Sequence, residues 1–316
     1  MAGIGFELKR MLKDETWFGL VKTYAYAGVI SSGPWVLSIL GIMLVGFMSL
    51  TNKNASSQVA SFLVSVTYLM SISLILSSLL QLVFTRFIAD RLYQEQRDIV
   101  LPNLLGALGL TSAVSGGFGL LMALLFFRQQ PVYAMLMVVN LVLLCNMWIV
   151  LVFDGGMKRY HAVLIAFMGG YAGIVVLAYP LHYWGTNGLL LAFLLGHAGL
   201  TFGLLYLILQ EFSSTEFMRL DFLKRALIHP ILIPIGALFN LGVWVDKWIF
   251  WMYPETSDAV NGILRASVIY DLPIFLAYLS IIPGMASFLL RIETDFVEHY
   301  QKYYGAINGG KTLGEI

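Results

Sequence analysis

Charge is what this sequence has least of. Asp, Glu, Lys and Arg make up 12% of its 316 residues, against roughly 25% in an ordinary soluble domain. With 59% hydrophobic residues beside that figure, a surface facing only water is excluded. The net charge is +1, and the 19 Lys and Arg are spread along the whole chain. Nucleic acid is therefore excluded as a partner, because phosphate binding needs a concentrated basic surface. Cysteine is nearly absent. Cys145 stands alone inside an apolar run, which excludes a disulfide framework and a Cys-based metal site and leaves a packing role. Long polar loops are missing as well: no connecting segment exceeds about twenty residues, so there is no room for a soluble catalytic domain or a nucleotide-binding fold. Gly116-Gly117, Gly155-Gly156 and Gly169-Gly170 lack the Lys of a phosphate-binding loop and read as close helix packing or turns. ATP-driven transport within this chain is excluded, and no cofactor or metal is expected.

What the sequence has in abundance is apolar runs of bilayer length. A helix needs about 20 apolar residues to cross the hydrocarbon core. Counting such runs predicts an all-α polytopic membrane protein of about eight transmembrane helices, near 24–50, 59–84, 103–127, 131–153, 161–181, 188–210, 228–253 and 262–290. The first run, Ala25 to Leu50, is longer than the apolar stretch of a cleavable leader, and Ser49-Leu50-Thr51 is a poor cleavage site. It reads as the first span. Connecting segments alternate in basicity. Lys9, Arg10 and Lys13 precede span one; Arg86, Arg91 and Arg97 follow span two; Lys158 and Arg159 follow span four; Arg219, Lys224 and Arg225 follow span six; Arg291 and Lys302 follow span eight. The opposite loops hold only Lys53 and Arg128. The positive-inside bias thus predicts both ends in the cytoplasm.

Residues 1–23 mix apolar and charged positions as an amphipathic lead-in on the inner leaflet would; the same face would also suit a cytoplasmic partner. Spans one to six form a first bundle over 24–210. A polar linker over 211–227 separates them from the two spans within 228–290, and 291–316 is a polar cytoplasmic segment. Transporters are often built from two similar bundles, so six plus two reads as a first six-helix bundle with the start of a second, and the chain as a truncated fragment.

Four stretches carry a family resemblance: Met1-Ala2-Gly3-Ile4-Gly5-Phe6-Glu7-Leu8; Tyr26-Ala27-Gly28 with Ser32-Gly33-Pro34-Trp35; Thr85-Arg86-Phe87-Ile88-Ala89-Asp90-Arg91-Leu92-Tyr93; and Arg291-Ile292-Glu293-Thr294-Asp295-Phe296 with Glu298-His299-Tyr300. Together they resemble the PelG family, inner-membrane transporters of the Pel exopolysaccharide system. That family belongs to the multidrug, oligosaccharidyl-lipid and polysaccharide exporter group, whose members resemble two six-helix bundles around a cavity. The resemblance implies transport of a partly deacetylated amino-sugar polymer, with PelD, PelE and the glycosyltransferase PelF as partners. This chain departs from the pattern by lacking about four final helices.

Intramembrane polar residues are costly and mark candidate sites. Asp246 and Lys247 lie about 27 Å along span seven, among Trp244, Trp248, Trp251 and Tyr253, where an aromatic belt is expected and Lys247 can snorkel outward. Arg265 is placed at a similar height on the returning helix, with the turn near Thr256 and Ser257, so an Asp246–Arg265 pair across the hairpin is expected. Asp271 is expected deepest in this hairpin, beside the helix break at Pro273, as a cavity acid for a cation, a proton or an amino sugar, or as a structural acid bonded to a neighbouring helix. In span one Tyr24, Ser31, Ser32 and Trp35 set hydroxyls and an indole beside a break at Gly33-Pro34, which suits sugar rings or simply makes a kink. Pro230 and Pro234 are read as the equivalent break in span seven. Arg86 and Arg91 mark the inner interface and are candidates for a pyrophosphate or partner contact. Asn140, Asp154 and His197 read as helix-packing residues first.

The function read from these residues is export of an exopolysaccharide through a cavity lined by spans one, seven and eight. A membrane scaffold for a glycosyltransferase is the alternative. An intramembrane enzyme is not expected: His161, His182 and His197 are scattered over both sides, His229 stands alone, and no His/Glu cluster has metal spacing.

Overall fold

The computed structural model describes residues 16–24, 27, 53–154, 160–310 and 312. Apart from Tyr24 and Ala27, span one lies outside them, and with it Ser31, Ser32, Gly33, Pro34 and Trp35. A short helix over 17–24 is capped by Thr16, whose hydroxyl accepts the Gly19 N–H at 3.0 Å. Trp17 and Phe18 on it are 86% and 80% exposed.

The long helices follow in order: α1 (Lys53–Tyr93), α2 (Val100–Phe126), α3 (Pro131–Asp154), α4 (Tyr160–Leu181), α5 (Gly185–Glu211) and α6 (Leu232–Met252). A two-stranded antiparallel hairpin, β1 (Asp258–Asn261) and β2 (Leu264–Ala266), precedes α7 (Val268–Arg291), and a π-helical turn leads from α7 into α8 (Val297–Asn308). Among the described residues, six stretches are long and apolar enough to cross a membrane. One of them, Ala162–Glu211, is 50 residues long, too long for a single crossing at 1.5 Å per residue. It holds both α4 and α5, which fold back on each other at a 3-10 turn ended by Gly185 at φ +64°. The approach within this pair is close: a Cβ on Gly196 would sit 2.2 Å from Ile174 Cγ1, and one on Gly170 2.9 Å from Leu200 Cβ. Gly170 thus packs as the sequence suggested, while Gly169 faces open space. The protein is an all-α, multi-pass membrane protein, with a small hairpin between α6 and α7.

Described residues from 53 to Leu272 form one compact unit, and those from Pro273 onward, with 16–24, form a second. In the first unit α1 packs on α3, α5 and α6, α2 on α3, and α3 on α5. The centre is built from α1 and α3: 44% of the most apolar stretch of each is buried, against 11% for α6. Buried serines line α1 (Ser61, Ser65, Ser71, Ser73, Ser77 and Ser78). Small residues let neighbouring backbones approach, and their hydroxyls bond back to carbonyls of the preceding turn, as Ser65 does to Ser61 O at 2.6 Å. Across the seam, Trp148 Nε1 donates to Ser73 Oγ at 3.0 Å, and the Cys145 thiol packs against Ser73 O at 3.7 Å. Asn140 donates to Leu136 O and Leu190 O, and buried His197 contacts Phe193 O and Tyr171. Both bond to a neighbouring helix, as helix-packing residues do. The Asp154 side chain lies outside the described residues.

Three boundaries differ from the sequence reading. Helix α1 is 41 residues long, running past residue 84 because charged residues can stay helical beyond the apolar core. Arg86 and Asp90, one turn apart, pair there at 3.1 Å. Pro230 lies in the turn before α6 and Pro234 in its first turn. A missing N–H costs nothing at these positions, so they start the helix rather than break it. Span eight begins at Val268, because residues 258–266 form the hairpin. Pro273 and Pro283 do lie inside α7.

Candidate transport site around Asp246 and Asp271

Helix α6 has an inward stripe, buried at Gly236, Lys247 and Trp251 and half-buried at Asn240 and Trp244, at spacings of four, four, three and four, the period of an α-helix face. A glycine is required at its start, where a Cβ on Gly236 would lie 2.5 Å from the Ser78 carbonyl oxygen of α1. Further along, Trp248 Nε1 donates to Ser71 Oγ at 3.3 Å. The stripe carries a lysine because its charge is met locally. Lys247 is 5% exposed and donates to Val243 O at 3.0 Å and to Asp246 Oδ1 at 3.2 Å, with Nζ 5.1 Å from the Trp244 ring centroid. It therefore does not snorkel: its ammonium is satisfied inside the protein.

Asp246 also accepts the Lys247 N–H at 2.8 Å and a short hydrogen bond from the Tyr270 hydroxyl. The Tyr270 ring stacks on Phe250 at 4.1 Å. The expected Asp246–Arg265 pair is not formed. Arg265 sits on β2 and is occupied by Ser257, donating Nε to its Oγ at 2.8 Å and Nη2 to its carbonyl at 2.5 Å. Ser257 Oγ in turn donates to Trp251 O at 2.8 Å, so Arg265 ties the hairpin to the end of α6.

Asp271 lies in the first turn of α7, not deep within it. Its carboxylate accepts the Ser267 N–H at 3.0 Å and the Trp251 indole N–H at 2.9 Å. An acid at a helix N-terminus meets the unpaired N–H groups and the positive end of the helix dipole. Trp251 is 3% exposed and stacks on Tyr68 of α1 at 4.6 Å, and the Tyr68 hydroxyl donates to Arg265 O at 3.2 Å. The structure thus brings Asp246, Lys247, Arg265 and Asp271 to one end of α6 and sets each beside an aromatic ring or a hydroxyl. Tyr24 is half-buried in the 17–24 helix, within the other compact unit. Tyr68, Ser257 and Tyr270 were missed by sequence reasoning; the serine-rich face of α1 was the one signal that polar partners for α6 would come from that helix.

At the other end of α1, Arg86 pairs with Asp90, while Arg91 lies over the Phe87 ring at 5.6 Å and donates Nη1 to Gln96 at 3.1 Å. The linker docks nearby. Asp221 is buried, its N–H donating to Asn103 Oδ1 at 2.8 Å, and its carboxylate accepts from Arg219 at 2.7 Å, Lys224 at 2.6 Å and Asn103 at 3.2 Å. Burial pushes this carboxyl up, but the Lys224 and Asn103 hydrogen bonds and the Arg219 and Lys224 charges together outweigh it and hold the group below its ordinary value.

Among solved structures the chain is similar to a MOP superfamily transporter from Pyrococcus furiosus, at 14% identity and TM-score 0.60, over 86% of this chain and 64% of that one. It is similar to a multidrug resistance MATE family transporter of the MOP superfamily in an outward-facing conformation, at 16% identity and TM-score 0.60, over 84% and 63% of the two chains. A MATE protein in complex with Br-NRF matches at 15% identity and TM-score 0.57, over 85% and 67%. The chain thus spans a little under two thirds of the length of the first two structures, and at these identities what is shared is the fold. No curated protein matches the chain. The family model of PelG, an exopolysaccharide exporter (EPS-E), matches residues 1–316, and the chain belongs to that family.

Proposed function

We propose that this protein exports a Pel-like exopolysaccharide, an amino-sugar polymer, from cytoplasm to periplasm across the bacterial inner membrane. The family match over residues 1–316, on a fold shared with MOP superfamily transporters, is the observation that carries this reading. The excess of Lys and Arg on one set of connecting segments supports a cytoplasmic N-terminus; the export direction rests on the exporter family. Helices before the linker serve as a first bundle and α6 and α7 as helices of a second, with PelD, PelE and PelF as partners. Asp246 and Asp271 supply carboxylates toward a cationic sugar. Transport rather than catalysis is the chemistry assigned to this cluster.

The test is polymer export in cells lacking their own transporter, complemented with the wild-type chain, Asp246→Asn, Asp271→Asn or Arg265→Gln, with membrane abundance matched. Loss of export in the acid variants at normal abundance supports transport through this cluster. Full export by all three variants transfers the role to a scaffold for the glycosyltransferase.

A further inference from the structure

Where the turn from α1 into α2 meets the docked linker, a cavity of about 330 Å³ is lined by Arg91, Gln96, Asp98, Arg219, Asp221 and Lys224, among others. Its walls are fixed by local rules. Helix α1 ends in a Schellman turn: Gln96 N–H bonds to Arg91 O and Glu95 N–H to Leu92 O, with Glu95 at φ +60°. That turn carries Gln96 back over Arg91. The opposite wall is held by Arg219, whose N–H bonds to Pro102 O at 2.9 Å and whose side chain bonds Asp221 at 2.7 Å. Gly106 makes this docking fit, since a Cβ there would lie 2.0 Å from Arg219 O. Phe222 is fully buried against Phe84 and Phe87 and anchors the linker.

The lining carries three cations and two carboxylates, which leaves one formal positive charge. Asp221 absorbs Arg219 and Lys224. Arg91 gives one nitrogen to Gln96, while its Nε is buried without an acceptor. A buried charged donor left without an acceptor is costly, and a guanidinium edge matches a pair of phosphate oxygens. The cavity lies at the ends of two membrane-length helices, where headgroups gather, and basic pockets between such helices take lipid headgroups. Two carboxylates in the lining disfavour a multiply charged anion and leave room for a single negative charge. We propose that this cavity binds the phosphodiester of an anionic membrane lipid, with Arg91 as its principal ligand.

The experiment uses the full chain in detergent, stripped of native lipid, with bound phosphatidylglycerol counted by native mass spectrometry. A phosphate-free galactolipid serves as the control, and inorganic phosphate and pyrophosphate as competitors. Retention of phosphatidylglycerol over galactolipid, about tenfold weaker binding in Arg91→Gln and unchanged binding in Arg86→Gln are expected. Equal retention of the galactolipid, or equal binding by Arg91→Gln and wild type, overturns the proposal. Displacement by free phosphate or pyrophosphate at matched concentration overturns the lipid as the source and assigns the same cavity to a soluble phosphate. Should Arg91→Gln fail to fold, the wild-type lipid preference and competition decide the outcome alone. The readout is binding, so failure here is distinct from failure of the export reading.

Discussion

Helices α1 and α3 meet through serine hydroxyls, a thiol and an indole, whereas α6 meets α1 through a glycine and two tryptophans. The first contact lies at the centre of the bundle and is continuous; the second is a single stripe on a helix whose other faces are exposed. In lipid there is little hydrophobic drive to bring two helices together, so close packing and hydrogen bonds must do it. The α1–α3 seam gains from many small contacts, each replaceable. The α6 stripe depends on a few large groups that must each be satisfied, and those groups hold the polar chemistry of the candidate site.

The comparison breaks most severely at Gly236. Gly236→Leu forces a side chain into the Ser78 carbonyl and is expected to destabilise the protein by about 3 kcal/mol, read by thermal unfolding in detergent. A tolerated leucine would mean that α6 is not held by backbone approach. Lys247→Met removes the cation between Asp246, Val243 O and the Trp244 ring and is expected to cost about 2 kcal/mol, less than a fully buried pair because Asp246 is partly solvated. Asp271→Asn weakens the acceptor of Ser267 and Trp251 at the start of α7 and is expected to cost about 1 to 2 kcal/mol. Loss of export with no change in unfolding temperature would instead assign Asp271 to the transport path alone.

Two smaller effects sharpen the contrast on the linker side. The Asp221 carboxyl is held below its ordinary value of 3.8. Its stabilising contribution is therefore complete above that value and is lost as pH falls through the lower folded-state value. Protease cleavage of the linker should rise at acid pH in the wild-type chain, and Asp221→Asn should flatten that part of the profile. Glu95→Gly relieves a left-handed residue at the end of α1 and is expected to raise stability by up to about 1 kcal/mol, measured by the same melt.

The membrane class and the described long helices were legible because a bilayer demands apolar length, which single residues report additively. Element ends were less legible. Hydropathy cannot see that Thr85–Tyr93 stays helical, nor that a strand pair occupies 258–266, since both are decided by hydrogen bonds outside the apolar core. The site was legible as a list of residues and not as a set of pairs. Asp246, Lys247, Arg265 and Asp271 do gather at one end of α6, yet Arg265 bonds Ser257 and Asp271 bonds Trp251. Height along a helix can be counted from sequence, but which neighbour a carboxylate meets depends on the azimuth of both helices, and no residue count supplies that.

Azimuth is what Gly236 sets. With the Ser78 carbonyl occupying the space where a side chain would stand, α6 cannot roll about its own axis without driving Ile235 or Ala237 into α1. Lys247 follows about three turns later on the same face. A position with no side chain thus acts as the index mark of a dial, and it sets which way the charged end of the helix points.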